Sequence, residues 1–227
     1  RPPIRLSAIA ELRSIWVYTH DSIAVGEDGP THEPVEQIAS LRAIPGLIVL
    51  RPCDANETRV AWQVAVENHD APTVLVLSRQ HTPTLDRGAL APAEQLRRGA
   101  YVLNPGESDP QLILIGTGTE VSLIVAAEPV LRQRGVRTRL VSMPSWELFA
   151  QQSAEYRESV LPRTVKARLA VEAARSFGWE RWVGWDGDVL SVDRFGASAP
   201  GDLVMKEYGF TVDGVVARAL ALLGRQP

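Results

Sequence analysis

IWVYTHDSIAVGEDGPTHEPVEQIASLRAI, residues 15 to 44, decides the fold. Ile15 to Tyr18 form a short apolar run with the look of a buried strand, and the polar stretch from Thr19 to His32 reads as a loop. PVEQIASLRAI then carries apolar residues at helical spacing, with Pro34 suited to a first helical turn and Pro45-Gly46 suited to end the helix. The pattern repeats. LIVL (47–50) leads to DANE, where Asp54 and Glu57 have capping-box spacing for a helix running to about Asn68, and TVLVL (73–77) is a third strand.

Residues 88–110 hold Pro92, Pro105 and Pro110 among glycines and acids, and only AYVL (100–103) has strand character there. This stretch reads as a linker between a first block, 1–87, and a second, 111–227. The second block opens with QLILIG (111–116), turns at GTGTE, and continues as a helix to Gly135. Pro129 interrupts that helix and leaves its length open. A strand near TRLVSM (138–143), a helix from about Trp146 to Val160, strands ARLAVEA (167–173) and DVLSV (188–192), and two terminal helices complete the block. Strands alternating with helices at this spacing predict an α/β protein with two mostly parallel sheets, one per block.

Composition narrows the function. A chain of 227 residues with 45% apolar content can bury a sizeable core, and a net charge of −3 supplies no basic field for nucleic acid. No apolar run approaches the ~18 residues of a membrane span, and no secretory signal pattern opens the sequence. A cytoplasmic protein is expected. Its start, Arg1-Pro2-Pro3 without methionine, suggests a piece of a longer polypeptide. The single cysteine, Cys53, ends an apolar run and reads as a buried small hydrophobe rather than a nucleophile.

Chemistry concentrates at the carboxyl ends of the strands, where open α/β sheets gather ligands. His20 follows the first strand and Arg79 the third. On parallel strands the imidazole and guanidinium leave one sheet edge, a fit for a phosphate; equally, Arg79 can pair with Glu27 while His20 only terminates its strand. Glu33 and Glu36 fall where the first helical turn is expected and complement its dipole. Asp28, in Glu-Asp-Gly-Pro, is either an Asx turn or a rigid acceptor for sugar hydroxyls. His32 lies before the helix, whose field disfavours an imidazolium; His32 then moves protons and His20 serves as the phosphate cation. GTGTE is only a GxG and reads as a tight turn. Trp179, Trp182 and Trp185 read as packing or a subunit contact, with a partner surface as the alternative.

THDSIAVGEDGPTHEPVEQIASLR, LRPCDANE, VLVLSRQ, RRGAYVL, LVSMPSWELF, YRESVLP and the stretch from FGASAP to YGFTVDGVV together resemble the transketolase family, in order and across essentially the whole chain. Ala24 and Glu33 stand where the family has glycine and glutamine. The resemblance implies the end of a thiamine-diphosphate-binding-like, pyrimidine-binding domain (1–87), a linker (88–110) and the family's C-terminal domain (111–227). It implies transfer of a two-carbon ketol unit from a ketose phosphate to an aldose phosphate, with thiamine diphosphate as the electron sink. It further implies that His20 and Arg79 contact substrate phosphate, that Asp28 binds a substrate hydroxyl, and that His32 is catalytic near the reacting carbonyl.

Missing from the sequence is the family's Gly-Asp-Gly followed by a distant Asn. Asp186-Gly187-Asp188 has no asparagine after it, since Asn56, Asn68 and Asn104 all precede it. Thiamine diphosphate and its Mg or Ca therefore belong to the complete enzyme, with no cofactor or metal ligand assigned here and this chain alone expected to be inactive. The expected partners are sugar phosphates, a missing N-terminal part or separate subunit, and a second copy in a homodimer; nucleic acid and membrane are not expected. Alternatives are another thiamine-dependent transferase, such as dihydroxyacetone synthase, and a non-catalytic dimerisation or regulatory module.

Overall fold

A computed structural model describes residues 1–104 and 109–226. Pro105, in the expected linker, and Pro227 lie outside the described residues. The first block runs α1 (Pro2–Ile9), β1 (Ile15–Tyr18), α2 (Gln37–Arg42), β2 (Ile48–Leu50), α3 (Ala55–Glu67) and β3 (Thr73–Val76). Its sheet has the order β1-β3-β2 and is parallel throughout, with Ile15 to Tyr18 opposite Thr73 to Val76 and Ile48 to Leu50 opposite Thr73 to Leu75. The central β3 is buried on both faces, which explains its unbroken apolar run. Val74 and Val76 pack with Ile4, Ile38 and Leu41, while Leu75 packs with Val60, Ala61 and Leu96. Asp54 caps α3 by accepting from the Glu57 amide at 2.8 Å, and the Glu57 carboxylate returns to the Cys53 amide at 2.9 Å, one residue before the position a closed capping box uses.

The expected linker contributes a strand to the second sheet, β4 (Tyr101–Val102), and the second block then runs β5 (Leu112–Gly116), α4 (Glu120–Gln133), β6 (Thr138–Ser142), α5 (Trp146–Ala150), α6 (Ala154–Val160), β7 (Arg168–Val171), α7 (Glu180–Val183), β8 (Asp188–Leu190), α8 (Gly201–Glu207) and α9 (Val212–Leu222). Its sheet order is β4-β6-β5-β7-β8; β4 is antiparallel to β6 and the other pairs are parallel. Alternate residues serve two cores. Leu112, Leu114, Leu169 and Leu190 pack with residues of α4 and α9, whereas Ile113, Ile115 and Ala170 pack with Trp146, Phe149, Trp179 and Trp182. The α/β class with mostly parallel sheets is as expected.

The structure corrects or completes several local expectations. β1 is not a buried strand: it lies at the edge of its sheet, with Ile15 and Trp16 half-buried and Val17 and Tyr18 exposed. The first-block helix starts only at Gln37, so Glu33 and Glu36 are not in its first turn: Glu36 is the N-cap and Glu33 is buried outside the helix. Tertiary bonds hold that segment instead, since the Val35 amide donates to Gln37 Oε1 at 2.8 Å and its carbonyl accepts from the Arg175 amide at 2.9 Å. Pro129 does not end α4, which continues to Gln133. A proline there forfeits one hydrogen bond, and the fully buried Ala127 and Leu131 on either side keep the helix on its core. The segment from Trp146 to Val160 is two helices, because the Ser153 side chain accepts from the Tyr156 amide and starts a new one. Trp179 and Trp182 pack inside, but Trp185 is 98% exposed.

The blocks share their cores. Ile23, Val35 and Cys53 of the first sit in the cluster built on β5 and α4, and Ala174 of the second sits in the cluster under β3.

Candidate functional site

All three strands of the first sheet point the same way, so β1, β2 and β3 deliver His20, Arg51 and Arg79 to one edge. The loop after β1 is built residue by residue. The Ser22 side chain accepts from the Ala24 amide and caps a single 3-10 turn, Ile23–Val25, whose residues are all buried. Gly26 follows at φ +83, where a Cβ would lie 2.8 Å from the Gly201 amide nitrogen. Only glycine fits, because the N-terminus of α8 presses directly on the loop. The Gly29 amide donates to the Gly26 carbonyl, which puts Glu27 and Asp28 at the tip of a turn, and the Ser198 hydroxyl holds the Glu27 carbonyl at 2.6 Å.

Out of this clamped loop His20, Asp28 and His32 project into solvent. Each histidine has a threonine before it: Thr19 Oγ1 is 2.8 Å from His20 Nδ1, and Thr31 Oγ1 is 3.0 Å from His32 Nδ1. When the hydroxyl donates to Nδ1, the neutral ring keeps its proton on Nε2 and presents a donor outward. His20 has φ +66, a left-handed backbone uncommon for a side-chain-bearing residue. It borders a cavity of about 280 Å³ together with Tyr18, Thr19, Asp21, Gln37 and Ile38. Arg79 is exposed and, among the described residues, makes no ion pair or hydrogen bond, so the pairing with Glu27 does not form. It borders a different groove, of about 430 Å³, between the blocks beside His81, Thr119, Ser122 and Asp202. His20 and Arg79 thus share a sheet edge without sharing a cavity, and Asp28 and His32 line neither one. The helix-field argument for His32 does not hold, since α2 begins only at Gln37.

Behind the loop lies a network that the sequence did not announce. Arg51 is fully buried; its Nε donates to Asp21 Oδ2 at 2.9 Å, and its Nη1 donates to the Thr117 carbonyl at 3.0 Å and to Glu120 Oε2 at 2.5 Å. Nη2 is 2.7 Å from the same Asp21 oxygen, an ion-pair contact without an aligned hydrogen bond. Glu172 adds a forked pair with Arg42 at 2.7 and 2.8 Å and accepts from Trp179 Nε1 at 2.7 Å. Burial alone would lower the Arg51 pKa, but Glu120, Asp21 and Glu172 raise it, so the guanidinium is permanently charged. Burial pushes Glu120 up in spite of Arg51, whereas at Glu172 the Arg42 and Arg51 charges outweigh burial and hold the carboxyl down.

A second buried network centres on Glu57, which accepts from the Tyr101 hydroxyl at 2.6 Å and the Ser142 hydroxyl at 2.7 Å and ties α3 to β4 and β6. Cys53 beside it is 3% exposed, and burial with Glu57 and Asp54 pushes its thiol well up, which suits a packing residue and not a nucleophile. The signals that could have found both networks are Arg51 immediately after an apolar strand and the acids of DANE.

The residues present do not fit a diphosphate and metal cradle. Among the described residues no group of three or more His, Cys, Asp or Glu side chains is placed to hold a metal ion. Asp188 of Asp186-Gly187-Asp188 is already paired with Arg218 at 2.9 Å.

Two α/β blocks joined through buried charge, the first with a polar loop at the carboxyl edge of its sheet, match a pyrimidine-binding domain followed by a distinct C-terminal domain. Residues 1–84 match the family model of the transketolase pyrimidine binding domain, and residues 99–211 that of the transketolase-like C-terminal domain. The chain belongs to the transketolase family. It is 57% identical to the transketolase of Halalkalibacterium halodurans over 98% of its own length and 34% of that protein. It therefore spans about a third of the length of the curated relatives it matches. Transketolase from Leishmania mexicana superposes with a TM-score of 0.91 at 46% identity, covering 100% of this chain and 32% of that one. A Pichia stipitis transketolase variant in complex with fructose-6-phosphate gives 0.92 at 40% identity, over 98% of this chain and 32% of that one. An inactive β4 tetramer of a split-gene transketolase shares the fold, with a TM-score of 0.77 at 20% identity, over 97% of this chain and 70% of that one. Membership of this family implies thiamine diphosphate and a divalent metal in the full enzyme. No helix among the described residues is long and apolar enough to cross a membrane.

Proposed function

We propose that this chain supplies the substrate side of a transketolase, which moves a two-carbon ketol unit from a ketose phosphate to an aldose phosphate. The carrying observation is the two-faced loop from Thr19 to His32. Its inner residues Asp21 to Gly26 are buried, yet His20, Asp28 and His32 face solvent at the sheet edge that also presents Arg79.

His20 and Arg79 hold the substrate phosphate, and Arg79 has its full forked set of donors to offer. Asp28, at a turn fixed by Gly26, Gly29 and the Ser198 hydroxyl, accepts from a sugar hydroxyl. His32, with the Thr31 hydroxyl on Nδ1, points its Nε2–H at the developing alkoxide oxygen of the substrate and stabilises that charge by a hydrogen bond, the proton staying on the ring. Phosphate binding is remote from that oxygen, so its energy serves orientation.

The division proposed is 1–87 for the end of the pyrimidine-binding domain, 88–110 for the linker and 111–227 for the C-terminal domain. The family matches at 1–84 and 99–211 support a two-part division, the second match beginning inside the linker, where β4 already joins the second sheet. The complete enzyme is read as a cytoplasmic homodimer using thiamine diphosphate with Mg or Ca, in which the rest of the pyrimidine-binding domain and the cofactor cradle come from other residues. A coupled ketol-transfer assay with ketose phosphate, aldose phosphate, thiamine diphosphate and magnesium tests this on the chain alone and joined to the cofactor-binding part of a transketolase. Activity only in the joined form is expected; turnover by the chain alone would refute the assignment.

A further inference from the structure

The second block has no ligand in the reading above, yet it reaches into the loop through one side chain. Arg51 leaves the end of β2 and is walled in on the far side by the β5–α4 turn. Its carbonyl accepts from the Gly118 amide at 3.1 Å, and a Cβ on Gly118, at φ +57, would sit 2.6 Å from the Arg51 guanidinium carbon. Thr117 and Glu120 of that turn fix Nη1. The other side of the guanidinium is spent on Asp21, which is 4% exposed and adjoins His20, whose own backbone is left-handed at φ +66. A side-chain-bearing residue keeps that conformation only where its surroundings over-determine it. The surroundings here are the Thr19 hydroxyl on one side and the Arg51-bound Asp21 on the other.

We infer that Arg51 and Asp21 are positioning residues for His20, through which the second block sets the imidazole that meets the substrate phosphate. The inference rests on the phosphate role given to His20 above. Asp21 acts by holding the His20 backbone, and Arg51 acts by holding Asp21. Neither touches substrate. A ligand without a phosphate makes no demand on His20 and is indifferent to both.

The test is a double-mutant cycle in the complete enzyme, this chain joined to the cofactor-binding part, with a phosphorylated ketose donor and with its unphosphorylated analogue. Asp21→Asn keeps the shape and one acceptor but removes the charge that faces the Arg51 guanidinium; Asp21→Glu keeps the charge and displaces it, and serves if the first variant folds poorly. His20→Ala is expected to lower kcat/KM for the phosphorylated donor about tenfold, with the unphosphorylated donor little changed. Asp21→Asn is expected to do the same in the parent, and to add nothing in the His20→Ala background. Equal loss with both donors, or a kcat/KM effect of Asp21→Asn that persists undiminished without His20, would overturn the positioning role while leaving His20 as the phosphate ligand. No effect of His20→Ala on the phosphorylated donor would instead sink the phosphate role, and the inference with it.

Discussion

The two faces of one loop differ more than the two blocks do. Between Thr19 and His32 the inner residues Asp21, Ser22, Ile23 and Val25 are almost wholly buried and bonded, while His20, Asp28 and His32, a few residues away at most, are exposed. Charge on the inner face is paired: Asp21 with Arg51, Arg51 with Glu120, and Glu172 with Arg42. Charge on the outer face is unspent. Asp28 and Arg79 have no ion pair among the described residues. Groups kept for a ligand have to be held in place by groups that are not, and an α/β edge packed against a second sheet supplies both.

Breaking the inner face is expected to produce the largest effect on stability. Glu172→Ala removes the partner of Arg42 and the acceptor of Trp179 Nε1, and stranding buried charge in this way costs about 3–5 kcal/mol. For a chain of this size that lowers the midpoint of a thermal melt by roughly 6–20 °C. A loss under about 1 kcal/mol would show the network to be incidental.

Gly26→Ala comes next. It places a methyl group at φ +83 against the Gly201 amide, and a residue forced into such a conformation costs about 1–3 kcal/mol. Urea unfolding at constant slope reads the change, and a destabilisation of at least 1 kcal/mol is expected. A neutral result would mean that the loop can leave α8 without penalty.

A smaller effect, of opposite sign, is expected at Glu33. This carboxyl is 3% exposed, neither of its oxygens has a well-aligned hydrogen bond, and burial raises its pKa although the backbone at Ala197 and Gly26 pulls it down. With the folded value above the unfolded one, its contribution is complete below the ordinary carboxyl range and is lost as pH rises through the folded value. Glu33→Gln abolishes that loss and is expected to raise the neutral-pH melting temperature by about 2–4 °C, the equivalent of ~1 kcal/mol. The gain is expected to shrink to nothing as the scan is moved below about pH 4. Glu172 has the reverse sign: its lowered pKa contributes stability above the unfolded value that disappears on acidification.

What the sequence disclosed follows the same inner and outer division. Apolar runs announce strands by composition, so Ile15–Tyr18, Ile48–Leu50 and Leu112–Gly116 were legible almost to the residue, although β1 is an edge strand with Val17 and Tyr18 exposed rather than a buried one. His20 and Arg79 could be set on one edge because parallel strands fix where their ends lie. Partners distant in sequence were not legible. Nothing local to Arg51 says that it will meet Asp21 thirty residues earlier and Glu120 sixty-nine later. Glu33 looked like a helix-dipole acid because the pattern begins at Pro34; the amide of Arg175, from the other block, holds that segment out of the helix. Motif resemblance named the outer residues, and only packing revealed what holds them.

The smallest expected change in stability goes with a large change in chemistry, and that pairing is the most direct test. His32→Ala, in this chain joined to the cofactor-binding part, is to be followed by thermal melting and by the rate of ketol transfer on one preparation. The account predicts a stability change within about 0.5 kcal/mol, as for an exposed side chain, and a fall in kcat of about 10²- to 10³-fold. An unchanged rate in the folded variant would contradict it.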